Sequence, residues 1–146
     1  EAEGAPLPDV PEVLEVGKSR TVREGGDVAL LAFGRMVGQV RAAAELLSAE
    51  GIECRVVDMR WVKPLDAEAI AAAAACRLVV TVEEGVIAGG AGEGVLEVLA
   101  RQGATTPAVT LGIPDRFIGQ GPVPQLFADL GLNAEGIAAT VREALG

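Results

Sequence analysis

The chain has 146 residues, of which 50% are hydrophobic, and it carries a formal net charge of −9 at pH 7. This length is typical of one domain, and no apolar run reaches the roughly 18 residues that a membrane span needs, so we expect a soluble, cytoplasmic protein. The acidic surplus disfavours a nucleic-acid partner, because phosphate backbones are bound by clustered Lys and Arg. The sequence contains no His and no Tyr, which excludes the commonest general base and every Ser-His or Cys-His nucleophilic pair.

Strand-length apolar runs alternate with segments of helical period, a pattern typical of an α/β fold with a largely parallel sheet. Gly51 and Gly131 are expected to end helices, and Asp66 and Asn133 are expected to cap the N-termini of others. The predicted strands are 28–33, 54–57, 78–82 and 108–111, and two of the predicted helices are 36–50 and 122–130. Residues 13–24 are predicted to form one or two short edge strands or a connecting arm.

The two cysteines, Cys54 and Cys76, stand far apart and form neither a CxxC pair nor a dense disulfide pattern. We interpret them as reduced, partly buried thiols. A reducing cytoplasm is consistent with this interpretation.

The stretch TVEEGVIAGGAGEGVLEVLA joins the third predicted strand to a helix and is rich in glycine. Amides at Gly90 and Gly92, at the start of that helix, could bind a phosphate group. The spacing matches neither the G-x-G-x-x-G fingerprint nor a Walker loop, and Glu93 would repel an incoming phosphate. We therefore favour tight packing of strand against helix over an anion site, with Gly90 in backbone angles that a Val would not adopt cheaply.

Glu83 and Glu84 follow the same strand, at the end where parallel sheets commonly place their sites. Two neighbouring carboxylates can divide acid and base roles when their pKa values differ. Adjacent strand residues point to opposite faces, however, so we do not expect this pair to act on one substrate atom. Contact with another domain, or a solvated loop, is the favoured interpretation.

Two further loops carry charged side chains just beyond predicted strands. Arg60 and Lys63 flank the only Trp, which makes an anion site conceivable, although Trp61 packed on the sheet edge beside two solvated cations is the more ordinary arrangement. Asp115 and Arg116 could form a local ion pair, which contributes little to stability if it is exposed. None of these groups completes a catalytic constellation.

Four ordered segments resemble the C-terminal domain of the thiamine-diphosphate-dependent transketolase superfamily. They are LEVGKSRTVREGGDVALLAFGRMV, VVDMRWVKPLDAEAI, LVVTVEEGVIAGGAGEGVLEVL and LGIPDRFIGQG. Within the superfamily, GIPDRFIGQG and ADLGLNAEGIAATVREAL are similar to the 1-deoxy-D-xylulose-5-phosphate synthase family, although Gln120 stands where many of its members carry His. The resemblance divides the chain into a linker or arm, 1–13, and a transketolase C-terminal-like domain, 14–146.

The resemblance implies a three-layer α/β/α sandwich with a five-stranded, mostly parallel sheet and one antiparallel edge strand. It also implies part of an enzyme that joins pyruvate to D-glyceraldehyde 3-phosphate with loss of carbon dioxide, for isoprenoid and thiamine biosynthesis. Thiamine diphosphate and Mg²⁺ would lie between the pyrimidine-binding and diphosphate-binding domains that precede this one, in a homodimer. The fragment alone would bind no cofactor, support the dimer and be inactive.

The resemblance transfers no catalytic, cofactor-binding or metal-binding residue to this chain. The candidate contacts with a neighbouring domain or an anion are Arg60, Lys63, Glu83, Glu84, Gly90, Gly92, Asp115 and Arg116. One alternative is the same domain from a transketolase or from a 2-oxo-acid dehydrogenase β subunit. Another is a stand-alone α/β module that binds a small anion at residues 89–94.

Overall fold

The computed structural model of the chain describes residue 10 and residues 12–146. The predicted linker or arm, 1–13, therefore lies mostly outside the described residues. Residues 13–24, predicted to form one or two short edge strands or a connecting arm, contain one short strand, β1 (Arg20–Arg23).

A five-stranded mixed sheet with strand order β1-β3-β2-β4-β5 forms the middle layer. Its other strands are β2 (Val28–Ala32), β3 (Cys54–Asp58), β4 (Leu78–Val86) and β5 (Ala108–Ile113). These four strands pair in parallel, whereas β1 lies antiparallel to β3 at one edge, with Arg20 opposite Asp58. The predicted α/β class, with one antiparallel edge strand, is confirmed.

Helices cover both faces of the sheet. They are α1 (Met36–Ser48), α2 (Ala67–Ala73), α3 (Ala91–Arg101), α4 (Val123–Asp129) and α5 (Ala134–Leu145). One core lies between the sheet and the helices α1 and α5, and a second core lies between the opposite face and the helices α2 and α3. The result is the predicted three-layer sandwich. Helix α4 has no fully buried residue and adds the partly buried Phe127 to the first core.

Strand alternation decides which core each side chain enters. In β4, Leu78, Val80 and Val82 belong to the core with α1 and α5, whereas Val79 belongs to the core with α2 and α3. Since successive strand residues face opposite sides, the same rule sends Glu83 toward α3 and Glu84 toward α1.

The predicted helix signals are confirmed where the structure shows them. The Asp66 side chain accepts a hydrogen bond of 3.1 Å from the Ala69 amide, and the Asn133 side chain accepts one of 2.9 Å from the Gly136 amide. Gly51 and Gly131 adopt positive φ angles of 83° and 69° just after helices. Each of these residues therefore has the capping or stopping role that its type predicts.

The main departure from the sequence prediction is β4, which continues to Val86 instead of ending at residue 82. Val86 pairs with Ile113 of β5 beyond an irregularity in the register. Glu83 and Glu84 are therefore strand residues. The prediction was too short because a carboxylate in a buried strand requires partners, and those partners come from a helix that follows later in the chain.

Candidate functional site

One of the two buried carboxylates of the described residues belongs to Glu83 and accepts hydrogen bonds from the N-terminus of α3. The residue is 7% exposed. Its Oε2 accepts a hydrogen bond of 3.0 Å from the Ala91 amide, and its Oε1 accepts one of 2.8 Å from the Gly92 amide. The first-turn amides of a helix form a natural anion-binding position because they are unpaired and lie at the positive end of the helix dipole. In this protein a carboxylate of the chain itself fills that position.

A second carboxylate occupies the remaining part of the turn. The Gly89 amide donates a hydrogen bond of 2.8 Å to Oε2 of Glu93. The amides of Gly89, Ala91 and Gly92 therefore all donate to glutamates of the chain, and an incoming phosphate would meet two negative charges. This geometry disfavours the anion-module alternative at residues 89–94.

Glycines around Glu83 make room for its carboxylate. A Cβ at Gly90 would lie 2.5 Å from the Val86 carbonyl oxygen and 2.6 Å from Oε1 of Glu83. A Cβ at Gly92 would lie 2.5 Å from the Thr81 hydroxyl oxygen, and one at Gly85 would lie 2.8 Å from Oε2 of Glu83. Cβ atoms in proteins do not approach other atoms this closely, so a side chain at any of these three positions would clash with its neighbours.

The backbone angles of Gly90 correct one expectation. Its φ of −78° and ψ of 179° are extended values that any residue adopts. The predicted need for glycine-only angles is therefore wrong at this position, and a larger residue is excluded by the crowding alone. Beneath the turn, the Thr81 hydroxyl is buried and has no hydrogen-bond partner among the described residues.

Glu84 lies on the other side of the sheet from Glu83. Its carboxylate forms an ion pair with the guanidinium of Arg35, the residue that precedes α1. The guanidinium carbon of Arg35 is also 5.0 Å from the centre of the Phe127 ring in α4, a cation–π contact. The two glutamates have separate partners, so they do not form a shared acid–base site.

The loop after β3 does not gather its cations into an anion site. Arg60 has a φ of 56°, and its amide donates a hydrogen bond of 3.2 Å to Oδ1 of Asp58. Its guanidinium lies 3.8 Å from the Glu12 carboxylate, whereas Lys63 is exposed. The indole nitrogen of Trp61 is buried without a hydrogen-bond partner in the described part of the chain. Arg60, with 17% of its side chain exposed, is therefore not the solvated cation that the ordinary arrangement expected, whereas Lys63 is exposed.

The loop after β5 carries Asp115, Arg116 and Phe117 on the surface. Asp115 and Arg116 do not form an ion pair with each other among the salt bridges of the described residues. Phe117 is fully exposed, at 105% of its reference area, and the side chain of Gln120 is exposed as well. Sequence reasoning noted the charges of this loop but missed its aromatic ring. The sequence did carry a signal for the exposure of this ring, because Phe117 stands between Arg116 and a glycine-bearing loop and has few local partners.

The cysteines are not candidate nucleophiles. Both are buried free thiols, and burial raises the pKa of Cys54 to about 11 and also raises that of Cys76. Within the described residues, no group of three or more His, Cys, Asp or Glu side chains could hold a metal ion. In the same part of the chain, no helix has both the length and the apolar character required to cross a bilayer.

Comparison with known proteins identifies relatives along most of the chain. The family described as "Transketolase, C-terminal domain" matches residues 17–137. The 1-deoxy-D-xylulose-5-phosphate synthase of Syntrophotalea carbinolica is 46% identical over 140 residues, covering 95% of this chain and 22% of its own length. The corresponding synthase of Chromohalobacter salexigens is 50% identical over 137 residues, covering 92% of this chain and 20% of its own length.

A solved structure is also similar to this chain along most of its length. A chain described as a split gene transketolase, inactive β4 tetramer, superposes with a TM-score of 0.84 at 39% identity, covering 93% of this chain and 46% of that one. The present chain thus spans about a fifth of the length of the curated relatives that it matches. With a family match over more than half of its residues, the chain belongs to the transketolase C-terminal domain family.

Proposed function

We propose that the chain is the C-terminal domain of a thiamine-diphosphate-dependent 1-deoxy-D-xylulose-5-phosphate synthase. Such an enzyme joins pyruvate to D-glyceraldehyde 3-phosphate and releases carbon dioxide, and its product supplies isoprenoid and thiamine biosynthesis. The observation that carries this proposal is the 43–50% identity to proteins of that name over at least 90% of this chain. The proposed domain comprises residues 14–146, after a linker or arm, 1–13, in a cytoplasmic enzyme.

The role proposed for this domain is structural. Thiamine diphosphate supplies the carbanion chemistry when it is bound, and protein groups must orient it at close range. The turn at the start of α3 does not fit the diphosphate of that cofactor, because its amides at Ala91 and Gly92 are already bonded to Glu83. In the proposal, the pyrimidine-binding and diphosphate-binding domains that precede this chain hold the cofactor and Mg²⁺. This domain braces them and enlarges the interface of a homodimer.

A second candidate is the same domain from a transketolase. The similarity to the split gene transketolase chain, at 39% identity and a TM-score of 0.84, favours it. Both candidates assign the same fold and the same bracing role to these residues. They differ in the donor substrate, because a transketolase transfers a two-carbon unit from a ketose phosphate.

The donor substrate of the longer protein separates the two candidates. We expect the longer protein, supplied with thiamine diphosphate and Mg²⁺, to release carbon dioxide from pyruvate when D-glyceraldehyde 3-phosphate is present. We expect no comparable transfer from a ketose phosphate to an aldose phosphate. Transfer from the ketose phosphate without use of pyruvate would reject the synthase and establish the transketolase candidate.

A further inference from the structure

Four glycines from β4, β5 and the start of α3 enclose the carboxylate of Glu83. A Cβ at Gly85 would lie 2.8 Å from Oε2 of Glu83, and a Cβ at Gly90 would lie 2.6 Å from Oε1. A Cβ at Gly92 would lie 3.2 Å from Oε1, and one at Gly112 would lie 3.2 Å from Cγ. These four glycines therefore shape a space that one carboxylate group fills, and we call them the glycine cradle.

The backbone donors in the glycine cradle fit a planar carboxylate. The Ala91 amide donates to Oε2 of Glu83 at 3.0 Å, and the Gly92 amide donates to Oε1 at 2.8 Å, so each oxygen has its own donor. Two donors that serve the two oxygens of one carboxylate give a bidentate contact, which orients a planar anion as well as attracting it. Helix α3 is 11 residues long, and its dipole adds to the attraction for a negative charge.

A third donor, the hydroxyl of Thr81, lies in the same place and is not used by Glu83. Thr81 is 0% exposed, and its hydroxyl has no hydrogen-bond partner among the described residues. The hydroxyl points at the first turn of α3, since a Cβ at Gly92 would lie 2.5 Å from its oxygen. The stem of Glu83 fixes its carboxylate to β4. A free carboxylate has no such stem, and it is able to accept from Thr81 as well as from the two amides.

We propose that the glycine cradle is a binding site for a small free monocarboxylate, formate or acetate, and that the side chain of Glu83 takes the place of this ligand in the parent chain. As part of the same chain, Glu83 has a high effective concentration at the site and excludes a free anion. When the side chain at position 83 is shortened, the two amides and the Thr81 hydroxyl bind the free carboxylate instead. This inference does not depend on which enzyme contains the domain.

Charge and size select the ligand. Glu93 accepts a hydrogen bond from the Gly89 amide in the same turn, and its charge repels phosphate or pyrophosphate more strongly than it repels a monoanion. A free anion must also stay about 3.5–4.0 Å from the carbon atoms that remain at position 83. Formate therefore fits Glu83→Ala, whereas acetate, with its additional methyl group, needs the larger space of Glu83→Gly.

The test is a titration of the 146-residue Glu83→Ala chain with sodium formate, at an ionic strength held constant with sodium chloride. The NMR chemical shifts of the Ala91 and Gly92 amides should change saturably, with a dissociation constant in the millimolar range. The melting temperature should rise by at least ~2 °C at saturation, relative to chloride alone. If the variant is unfolded in chloride, formate should restore its circular-dichroism spectrum. No saturable change at the two amides, or no restored spectrum, overturns the proposal.

Two control variants separate binding in the glycine cradle from a general effect of the salt. Glu84→Ala removes the neighbouring carboxylate and retains Glu83, so formate should not shift its Ala91 and Gly92 amides. Glu83→Gln keeps a side chain of the same size in the cradle and should not bind formate either. Equal binding of formate by either control and by Glu83→Ala contradicts the proposal, because the site would then not depend on the space that Glu83 fills.

Thr81→Val tests the third donor. In the Glu83→Ala background it should weaken formate binding at least about threefold, because one hydrogen bond to the ligand is lost. In the parent chain it should not lower the melting temperature, since the hydroxyl has no partner there among the described residues. An unchanged dissociation constant for formate contradicts the site with three donors.

Other anions test the class of the ligand. Acetate should bind Glu83→Gly more tightly than Glu83→Ala, because only the glycine variant has space for its methyl group. Phosphate should bind Glu83→Ala more weakly than formate does. Tighter binding of phosphate than of formate would identify a general anion site and overturn the assignment to a monocarboxylate.

Discussion

At the scale of single residues, Glu83 accounts for the composition of the glycine-rich turn. Its carboxylate reaches the α3 amides through space that a side chain at Gly90 or Gly92 would fill. The hydrogen bonds and the helix dipole offset the cost of burying a charged group. The turn resembles a phosphate-binding turn in sequence, but a glutamate of the same chain occupies the position that a phosphate would take.

Replacing Glu83 tests this account against its sequence neighbour. We expect Glu83→Ala to lower the free energy of unfolding by about 1–3 kcal/mol, because two buried amides lose their acceptor. Glu84→Ala removes a partly exposed ion pair with Arg35 and should cost about 0–1 kcal/mol. Urea denaturation followed by circular dichroism measures both. Equal losses for the two variants would show that the α3 contact is not what stabilises this turn.

The crowding around Gly90 leads to a second prediction, about the stability of variants at this position. Gly90→Ala and Gly90→Val should both destabilise the domain, by on the order of 1–3 kcal/mol, with Val the worse of the two. The control is Gly38→Ala in α1, where an added Cβ meets no atom within 4 Å. That change should stabilise the helix by up to ~1 kcal/mol. An unchanged melting temperature for Gly90→Val would refute the steric argument.

At the scale of elements, Asp66 ties the arrival of β1 to the start of α2. Its Oδ2 accepts hydrogen bonds of 2.8 Å from the Ser19 amide and 2.9 Å from the Ser19 hydroxyl, and its Oδ1 caps α2 at the Ala69 amide. Burial alone would raise the pKa of Asp66, but these hydrogen bonds and the nearby Lys18 outweigh it and hold the pKa below the ordinary value of 3.8. The carboxylate form is therefore the one that holds the two elements together.

The depressed pKa of Asp66 gives the domain a specific acid sensitivity. A carboxyl group whose pKa is lowered by folding stabilises the protein above the unfolded pKa and loses that contribution as pH falls through the folded pKa. Asp66→Ala should cost about 1–2 kcal/mol at pH 7. The difference between the parent and this variant should shrink once the pH is below 3.8. Urea unfolding at pH 7 and pH 3 measures it, and an unchanged difference would contradict the linkage.

Sequence reasoning was accurate where local signals decide the structure. The apolar run of β2, the caps Asp66 and Asn133, and the stops at Gly51 and Gly131 need only neighbouring residues to be recognised. The extension of β4 through Glu83 depended on amides that lie eight and nine positions away, across a turn. The grouping of Val86 with Phe117 depended on strand order, which the local pattern does not contain.

At the scale of the whole molecule, the two buried carboxylates of the described residues have hydrogen-bond partners within the domain, whereas several large apolar side chains are exposed. The buried carboxylates of Glu83 and Asp66 are bonded to backbone amides, and both thiols are buried. Two exposed apolar side chains, Val86 and Phe117, line one groove beyond the ends of β4 and β5. This distribution is consistent with the bracing role proposed for the domain.

Ligand titration provides a check at this scale. Isothermal calorimetry of the 146-residue chain with thiamine diphosphate, pyrophosphate or a nucleotide should show no saturable heat, because Glu83 and Glu93 occupy the amides of the turn. The longer protein with Mg²⁺ is the positive control for thiamine diphosphate. Saturable binding of pyrophosphate by the isolated chain would revive the anion-module alternative.

The most direct test of the central claim is carbon dioxide release from labelled pyruvate, in the presence of D-glyceraldehyde 3-phosphate, thiamine diphosphate and Mg²⁺. The account predicts turnover by the longer protein and a rate at the level of the protein-free blank for the 146-residue chain. Turnover by the purified chain alone, persisting through repeated purification, would contradict the claim that its role is to brace the catalytic domains.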